Sequence, residues 1–382
     1  MKGDNKMKVA FITYSKAPYR TKQFEHIVST TGIELTVYYV GRSVISRKWE
    51  VNESPNFNEI HLKGIGKLGN HFLYYPKTKK IVKNYDLILL GGYNTTASYL
   101  FTYYAKVMKK HVAFVMDGIS PDKITESKNI KFYLKYFLLK QMDSFFANGS
   151  ISKKYLVNNF SVNSKKIFNQ FLTVDVNRID EIYKKHSKNV KKNFQILNGN
   201  KFVVLYAGRL LERKRVKDIV AAISLLNIKN CIQFVIIGNG KEQDSIIKYC
   251  IERDVNYLHK DFVKKQDELF SLYNIADCLI LPSENEPWGL VVNEATAAHL
   301  PVIVSDSCGC VNDLVKDNIN GYIFQKGNIV DLSDKISMMY SNKNKIKEMG
   351  DKSFEIISEW KYENSARSFD AMLKELYKNG KN

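Results

Sequence analysis

The chain has 382 residues, of which 45% are apolar, 12% aromatic and 25% charged. These are the values of globular proteins, and they exclude a disordered chain, a collagen and a disulfide-stapled miniprotein. The 58 Lys and Arg residues outnumber the 39 Asp and Glu residues, for a net charge of +19. Residues 1–190 hold 31 basic and 14 acidic residues (+17), which favours an anionic partner for the first half, although a solvated Lys-rich surface has the same composition.

In the first half, short apolar runs of strand length alternate with helical stretches. A helix is predicted at Thr21–Thr30. The predicted strands are Lys8–Tyr14, Leu35–Val40, Asp86–Leu90, His111–Met116 and Ser144–Ala147. Alternation of this kind favours a parallel sheet with crossover helices.

The series restarts in the second half, after a polar segment rich in Lys and Asn at Asn177–Lys201. The predicted strands are Phe202–Tyr206, Ile232–Ile237, Cys278–Leu281 and Pro301–Val304, with helices near 216–227, 241–253, 267–275 and 289–299. We therefore expect two doubly wound α/β domains, residues 1–185 and 186–362, with a C-terminal helix at 363–382 that packs back on the first. Two such domains are expected to face each other across a cleft, with ligands at the carboxyl ends of the strands.

No apolar run approaches the roughly 18 residues of a membrane-spanning helix, and Val9–Ile12 is too short for a signal-peptide core. A cytoplasmic protein is the expectation. The five cysteines have no framework spacing and are expected to be reduced. Cys308 and Cys310 lack the second Cys/His pair of a structural zinc site.

The segment Leu281–Ser305 carries the most specific pattern. Glu286 and Glu294 stand eight residues apart, and Gly289 lies between them ahead of an apolar helix. A diphosphate can rest on the free N–H groups at the start of a helix, while carboxylates on either side accept hydrogen bonds from sugar hydroxyls. We expect Glu286 in the loop and Glu294 a little over two turns inside the helix.

Gly208 and Arg209 follow a buried strand, and Lys214 follows five residues after the arginine. In isolation, a loop of this composition is a solvated basic loop. At the carboxyl end of a strand it is better interpreted as an anion clamp, whose cations offset the negative charge of a leaving group. Gly238-Asn239-Gly240 is expected to be a strand-to-helix turn of structural value.

In their order, these motifs resemble the retaining glycosyltransferases of family 4, which have the GT-B architecture of two facing Rossmann-like domains with a cleft between them. The resemblance covers about residues 202–324 and includes Tyr273 with Ala276-Asp277, Pro282-Ser283 and Asn320-Gly321. It implies that Arg209 and Lys214 hold the nucleotide diphosphate and that Glu294 holds the ribose. It further implies that Glu286 and the Gly289-Leu290 backbone hold the donor sugar and phosphates, with Gly208 and Phe262 in the nucleotide site.

The first domain matches this family less well. Ala17-Pro18-Tyr19-Arg20 and Arg47-Lys48-Trp49 resemble a subgroup that builds bacterial surface polysaccharides. The family commonly has a histidine after the strand His111–Met116, where this chain has Asp117, a candidate for orienting the acceptor or donor sugar. Arg215 replaces the glycine usual after Lys214, and Asp261 stands where a glycine is common.

Residues 129–142 place aromatic and aliphatic side chains among Lys131, Lys135 and Lys140, which are expected to form a narrow stripe. Core packing explains this pattern, and so does a helix that rests on an anionic membrane. No Asp-x-Asp occurs in the chain, which favours a leaving group stabilised without a metal ion, by Arg209, Lys214 and a helix dipole.

The resulting hypothesis is a metal-independent retaining glycosyltransferase that needs no cofactor. It moves a sugar from a nucleotide-sugar donor, a UDP-sugar above all, to a hydroxyl of a glycan or lipid-linked acceptor. It would act in cell-surface polysaccharide synthesis at the inner face of the cell membrane. Alternatives are an epimerase or phosphorylase of the same fold, a catalytically dead scaffold, or a basic nucleic-acid-binding protein. The last is disfavoured because no nucleic-acid module is recognisable, and no nucleic-acid partner is expected.

Overall fold

The computed structural model describes residues 6–41, 55–66, 72–186, 201–261, 263 and 265–378. The chain forms two compact units. The first contains Met1–Gly118, Ile124–Leu172 and Tyr362–Asn382, and the second contains Ile119–Lys123 and Thr173–Lys361. The transition between the units lies between Leu172 and Thr173, whereas the expected boundary lies at 185/186.

The first unit is built on a parallel sheet of seven strands in the order β3-β2-β1-β4-β5-β6-β7. These are β1 Lys8–Thr13, β2 Glu34–Tyr39, β3 Asn58–His61, β4 Leu87–Leu90, β5 His111–Met116, β6 Ser144–Ala147 and β7 Ile167–Asn169. The helices that connect them are α1 Pro18–Thr31, α2 Thr78–Lys83, α3 Thr96–Val107, α4 Ile130–Lys140 and α5 Gly149–Phe160. The central strands are buried on both faces, as the continuous apolar runs predict.

The second unit has a parallel sheet of six strands in the order β10-β9-β8-β11-β12-β13. These are β8 Phe202–Ala207, β9 Ile232–Ile237, β10 Tyr257–Lys260, β11 Cys278–Leu281, β12 Val302–Ser305 and β13 Gly321–Phe324. Its helices are α6 Val176–His186, α7 Val216–Ser224, α8 Gln243–Glu252, α9 Gln266–Tyr273, α10 Leu290–Ala297, α11 Val311–Leu314, α12 Ile329–Ser341 and α13 Ile346–Ile357. The strands β8, β9 and β11 have every residue buried.

The chain then returns to the first unit in helix α14, Tyr362–Lys378. Phe369, Met372 and Leu373 of this helix are buried in the core that β1, β2 and α1 form. Gln23 of α1 donates a hydrogen bond to Ser365 at 2.7 Å. The C-terminal helix is thus an integral part of the first core.

The order of strands reverses once in each sheet, between β1 and β4 and between β8 and β11. At such a point the helices after the two neighbouring strands lie on opposite faces, which leaves a crevice at the carboxyl ends of the strands. The loops after β1 and β8 therefore lie where a ligand is expected, each within its own unit.

Candidate functional site

The loop after β8 is shaped by glycines. Gly208 has φ +152° and Gly238 has φ +128°. Residues that have a Cβ atom rarely adopt these conformations. A Cβ on Gly238 would overlap the carbonyl oxygen of Gly208, and one on Gly240 would overlap that of Leu210. Backbone hydrogen bonds of 2.9 Å, Gly208 N–H to Ile237 O and Leu210 N–H to Asn239 O, fix the contact. The Gly-Asn-Gly turn is therefore structural, as expected, because its glycines allow close backbone contact with the loop after β8.

Lys214 and Glu286 form an ion pair across the β8/β11 crevice. The Lys214 and Glu286 side chains are only 13% and 12% exposed, and Arg213 places Nη1 3.6 Å from the same carboxylate oxygen. In partly buried surroundings such a pair is held more firmly than a surface pair, because water screens it less. The structure thus places a cation and a carboxylate side by side where the sequence predicts an anion clamp and a sugar contact.

The loop that carries Glu286 is anchored through its backbone. Gly309 N–H donates to Glu286 O at 2.9 Å, and Cys310 N–H donates to Trp288 O at 3.2 Å. A Cβ on Gly309 would overlap Pro287 O, so this position needs a glycine. Glu286 is therefore held by fixed backbone.

Helix α10 begins at Leu290, directly after Gly289. Gly289 has φ +101°, and a Cβ there would lie 2.8 Å from Leu281 Cδ2. No side chain caps the N-terminus of this helix. The Val292 N–H donates to Gly289 O at 2.8 Å, and the N–H groups of Leu290 and Val291 before it are left for another acceptor.

Glu294 is the fifth residue of α10, a little over one turn inside the helix. The expected depth of two turns is wrong, because the helix starts at Leu290, four residues after Glu286. Glu294 still lies on the same helix as the candidate anion site.

Tyr273, at the end of α9, donates a hydrogen bond from its hydroxyl to Glu294 Oε2 at 2.5 Å. Burial raises the pKa of Glu294 to about 7, and the Tyr273 hydrogen bond partly opposes this rise. Burial also raises the pKa of Tyr273 well above its usual value, so the hydroxyl stays protonated. Perturbed carboxyl groups of this kind are typical of functional sites.

Arg215 follows Lys214 in a left-handed conformation, φ +51°. This explains why a glycine suits the position in the resembling family. Here the arginine instead pairs with Asp218 at 2.7 Å and with Glu284 at 3.4 Å, two carboxylates flanking the loop. The departure from the family pattern is thus accommodated by local ion pairs.

Asp117 follows β5 in the first unit, near the β1/β4 crevice. It forms an ion pair with Arg20 and accepts a hydrogen bond of 3.2 Å from the Tyr19 hydroxyl. Arg20 is buried and donates to Gln23 Oε1 at 2.8 Å, and burial lowers its pKa. The carboxylate is thus engaged by groups from the Ala-Pro-Tyr-Arg motif.

A cavity of about 200 Å³ opens beside this pair. Its lining includes Thr13, Lys16, Tyr19, Arg20 and Asp117. Lys16 reaches Glu59 at 2.7 Å, so its charge is also partnered. The motif after β1 and the residue after β5 therefore line one polar cavity of the first unit.

Several predicted residues have simpler outcomes. Arg209 is exposed in the loop after β8, and its carbonyl accepts a hydrogen bond of 2.9 Å from Tyr206. Leu290 is partly buried at the start of α10. Phe262 and the Arg47-Lys48-Trp49 motif lie outside the described residues. Sequence reasoning did not assign roles to Arg213, Arg20 or the Tyr273 hydroxyl, although all three stand in motifs that it quoted.

In the part of the chain that the structure describes, no group of three or more His, Cys, Asp or Glu side chains could hold a metal ion. Cys308 and Cys310 are fully buried free thiols, and burial raises the pKa of both. They pack beneath the loop that carries Glu286.

Helix α4 does not carry the expected lysine stripe. Lys131 and Lys140 are exposed, but Lys135 is buried. Its ammonium group lies 2.8 Å from both carboxylate oxygens of Glu126 and 2.6 Å from the Tyr155 hydroxyl. The expectation of a three-lysine stripe is wrong because Lys135 faces α5.

The apolar residues of α4 divide between two faces. Phe132, Leu138 and Leu139 are buried, whereas four others, at a helical spacing of three and four, are 49–79% exposed. The exposed residues are Ile130, Tyr133, Leu134 and Phe137. Core packing therefore explains only one face of this helix.

Comparison with known proteins shows which family model the chain matches and which enzymes it resembles. Residues 187–355 match the family model described as glycosyl transferases group 1. Over 338 residues the chain is 24% identical to the poly(ribitol-phosphate) α-N-acetylglucosaminyltransferase of Staphylococcus aureus. Over 328 residues it is 23% identical to the capsular polysaccharide biosynthesis glycosyltransferase CapM of the same species. The first match covers 79% of this chain and 66% of the relative, and the second 83% and 80%.

A crystal structure of Anabaena Alr3699/HepE in complex with UDP superposes with a TM-score of 0.77 at 17% identity. The match covers 97% of this chain and all of the other. The fold is GT-B. Residues 187–355 resemble group 1 glycosyl transferases, and the chain is similar to enzymes that build bacterial surface polysaccharides. Among the described residues, no helix is long and apolar enough to cross a membrane.

Proposed function

We propose that the protein is a retaining, metal-independent glycosyltransferase that moves a sugar from a UDP-sugar to a hydroxyl of a glycan or lipid-linked acceptor. The observation that carries this proposal is the Lys214–Glu286 pair beside the uncapped start of α10, at the β8/β11 crevice. The known relatives support it, since two of them are named for transfer to ribitol phosphate and for capsule synthesis.

The second unit, which contains most of the expected domain 186–362, would hold the donor. The diphosphate would rest on the N–H groups of Leu290 and its neighbours, and Arg209 and Lys214 would supply positive charge. As the bond to the anomeric carbon breaks, negative charge grows on the diphosphate, so these fixed cations stabilise the transition state more than the ground state. Glu294 would accept hydrogen bonds from the ribose.

Glu286 would face the sugar. Its carboxylate is held by Lys214 and by the anchored loop, so it needs little reorganisation as positive charge develops on the ring. Gly208 and Gly289 would let the backbone approach the ligand.

The first unit, which contains most of the expected domain 1–185, would supply the acceptor surface. Asp117 would orient a sugar hydroxyl, with Arg20 holding its carboxylate in place. The cavity beside this pair is polar, as a site for sugar or phosphate groups requires.

The activity is tested with a panel of nucleotide sugars. A donor present at 100 times its dissociation constant should stabilise the protein by about 2.7 kcal/mol, which thermal unfolding detects. With the identified donor and a lipid-linked or glycan acceptor, NMR should show the donor's anomeric configuration in the product, in excess chelator as well as without it. Loss of transfer in chelator, restored by manganese, would contradict metal independence. Isomerised or hydrolysed donor in the absence of acceptor would favour an epimerase or phosphorylase.

We also propose that the protein works peripherally at the inner, cytoplasmic face of the cell membrane, where lipid-linked acceptors are found. Residues 72–166 hold 16 lysines and 5 acidic residues. Each of those acids is paired with a cation, which leaves the remaining lysines to face solvent or an anionic surface. The same segment exposes the apolar side chains of α4, together with Tyr103 and Val107 of α3. Exposed lysines beside exposed aromatic and aliphatic groups suit an anionic lipid surface better than a polar polyanion.

A further inference from the structure

Glu294 is a carboxylate that burial makes costly to ionise. Its pKa is raised from the usual value of 4.5 to about 7. A ribose contact needs a carboxylate that accepts two hydrogen bonds, and the neutral acid has fewer acceptor sites to offer. Some neighbouring group must therefore fix both the charge and the direction of this side chain.

Tyr273 is placed to do this. Its side chain is fully buried, and its hydroxyl ends 2.5 Å from Glu294 Oε2. A buried tyrosine hydroxyl in this position donates to one oxygen, which leaves the other oxygen for a ligand. Its long, rigid ring reaches from the end of α9 to the middle of α10, so the contact is set by the packing of two helices.

Several charged groups on the elements around α10 are engaged elsewhere. On α6, Asp180 bonds His299 at 3.1 Å and Arg178 pairs with Asp267 at 2.5 Å. On α13, Asp351 bonds the second nitrogen of His299 at 3.2 Å. Further charged groups on α6 and α13 are Glu181, Lys184, Lys185, Lys347, Glu348, Lys352 and Glu355, and β11 contributes the buried thiol of Cys278. Among the described residues, Tyr273 is the titratable group that acts on the Glu294 carboxyl.

We propose that Tyr273 is a positioning residue that occupies one oxygen of Glu294 and directs the other to the ribose of the nucleotide. This inference rests on the proposed donor site. It adds a residue from α9 to a site otherwise built by the loops after β8 and β11. The hydroxyl acts only through Glu294 and makes no contact with the ligand itself.

The hydroxyl also opposes the effect of burial on the carboxyl pKa. In Tyr273→Phe the pKa of Glu294 should therefore be higher than in the wild type, so that ionisation occurs at higher pH. If the ionised form binds the ribose, UDP affinity falls as pH decreases through that pKa, and in the variant this fall begins at higher pH.

The test measures UDP dissociation constants by calorimetry between about pH 6 and pH 9, a range that brackets the Glu294 pKa. Since UDP has an ionisation of its own, each profile is divided by that of Glu294→Gln, which lacks the carboxyl but meets the same nucleotide. Tyr273→Phe should bind UDP about tenfold more weakly near pH 7, as expected for one lost hydrogen bond to a charged group, and should recover part of that loss near pH 9. A uridine diphosphate analogue that lacks both ribose hydroxyls should bind Tyr273→Phe and the wild type with the same affinity.

The matched control is Tyr75→Phe. Tyr75 is also fully buried and donates one hydrogen bond, to Val40 O at 2.8 Å, but it belongs to the first unit. Loss of this hydrogen bond in Tyr75→Phe should lower stability without changing how UDP affinity depends on pH. An unshifted profile in a folded Tyr273→Phe, or an equal loss with the nucleotide that lacks ribose hydroxyls, would overturn the positioning role. Absence of UDP binding by the wild type at every pH would instead refute the proposed donor site.

Discussion

At the scale of single residues, the candidate site is built from groups that a stable fold would avoid. Glu294 is buried with a raised pKa, and Gly208 and Gly289 adopt conformations with positive φ. Lys214 and Glu286 are both largely withdrawn from water. Burying the ionisable side chains of Glu294, Lys214 and Glu286 costs stability, whereas a glycine adopts a positive φ without steric strain. This cost can be measured in the ligand-free protein.

Glu294→Gln should stabilise the ligand-free protein at pH 8. The folded-state pKa of about 7 lies above the usual value of 4.5, so the wild type loses stability as pH rises through this interval. A neutral glutamine does not ionise, so the variant gains up to about 3 kcal/mol above pH 7 and little below pH 4.5. Urea unfolding at both ends of this range checks the result. Equal pH dependence in the two proteins would mean that Glu294 ionises freely.

Glu294 and Glu286 should also differ in kinetics. A ribose contact is present equally in ground and transition states, so Glu294→Ala should weaken donor binding more than turnover. Glu286 is proposed to face the sugar ring as charge develops, so Glu286→Ala should lose turnover by roughly a hundredfold, about 3 kcal/mol. Donor dissociation constants and single-turnover rates of folded variants separate these effects. The reverse pattern would exchange the two roles.

How far these residues could be predicted depends on what fixes their positions. Local motifs contain Lys214, Glu286 and Gly289. Their spacing alone predicts that Lys214 follows a strand, that Glu286 lies in a loop and that Gly289 precedes a helix. The contact of Tyr273 with Glu294 depends on how α9 packs on α10, which spacing along the chain does not reveal. Arg215 shows the same limit, because its ion pairs with Asp218 and Glu284 depend on the path of the loop.

At the scale of helices and strands, prediction followed burial. Strands with every residue buried, such as β9 and β11, coincide with the apolar runs that predict them. The edge strands β3, β7, β10 and β13 were not predicted. In β3, NEIH, three of the four residues are polar, and in β10, YLHK, two of the four are polar. Both lie at sheet edges, where one side of the strand meets solvent and the apolar signal weakens.

Helix α4 shows how a periodic pattern can be assigned to the wrong face. The lysines at 131, 135 and 140 suggest one solvated stripe, yet Lys135 is buried against Glu126 and Tyr155. Replacing Lys135 by glutamate would place like charges together in a buried site and disturb folding. A test of membrane contact must therefore leave this residue unchanged.

Replacing Leu134 and Phe137 by serine should weaken binding to anionic vesicles. Both side chains are more than half exposed, so their loss should cost little stability while removing apolar surface that can enter the lipid boundary. Co-sedimentation with vesicles measures the effect. The matched control is Leu225→Ser, since Leu225 is 58% exposed in the second unit. Equal loss in both variants would mean that the α4 face has no special role.

At the scale of the whole molecule, the excess positive charge lies in the first half of the chain. Residues 1–190 carry +17, whereas residues 191–382 hold 27 basic and 25 acidic residues, for +2. The part that matches the glycosyltransferase model is thus nearly neutral, and the excess lies where the acceptor is proposed to bind. A long-range field attracts anions to the first unit without contributing to specificity for the donor.

Vesicle binding should consequently depend on salt more strongly than donor binding does. Each lysine near an anionic surface contributes about 1 kcal/mol, and this contribution is screened beyond the Debye length. Raising the salt from about 0.05 M to about 0.5 M shortens that length about threefold, so vesicle binding should fall steeply. The proposed UDP site includes Lys214, which is largely buried, so screening there is weaker and the affinity for UDP should fall less. Lys131→Glu with Lys140→Glu should reproduce the loss at low salt and leave UDP affinity unchanged. Binding to neutral vesicles as strong as to anionic ones, at either salt concentration, would show that the charge of the first half serves another partner.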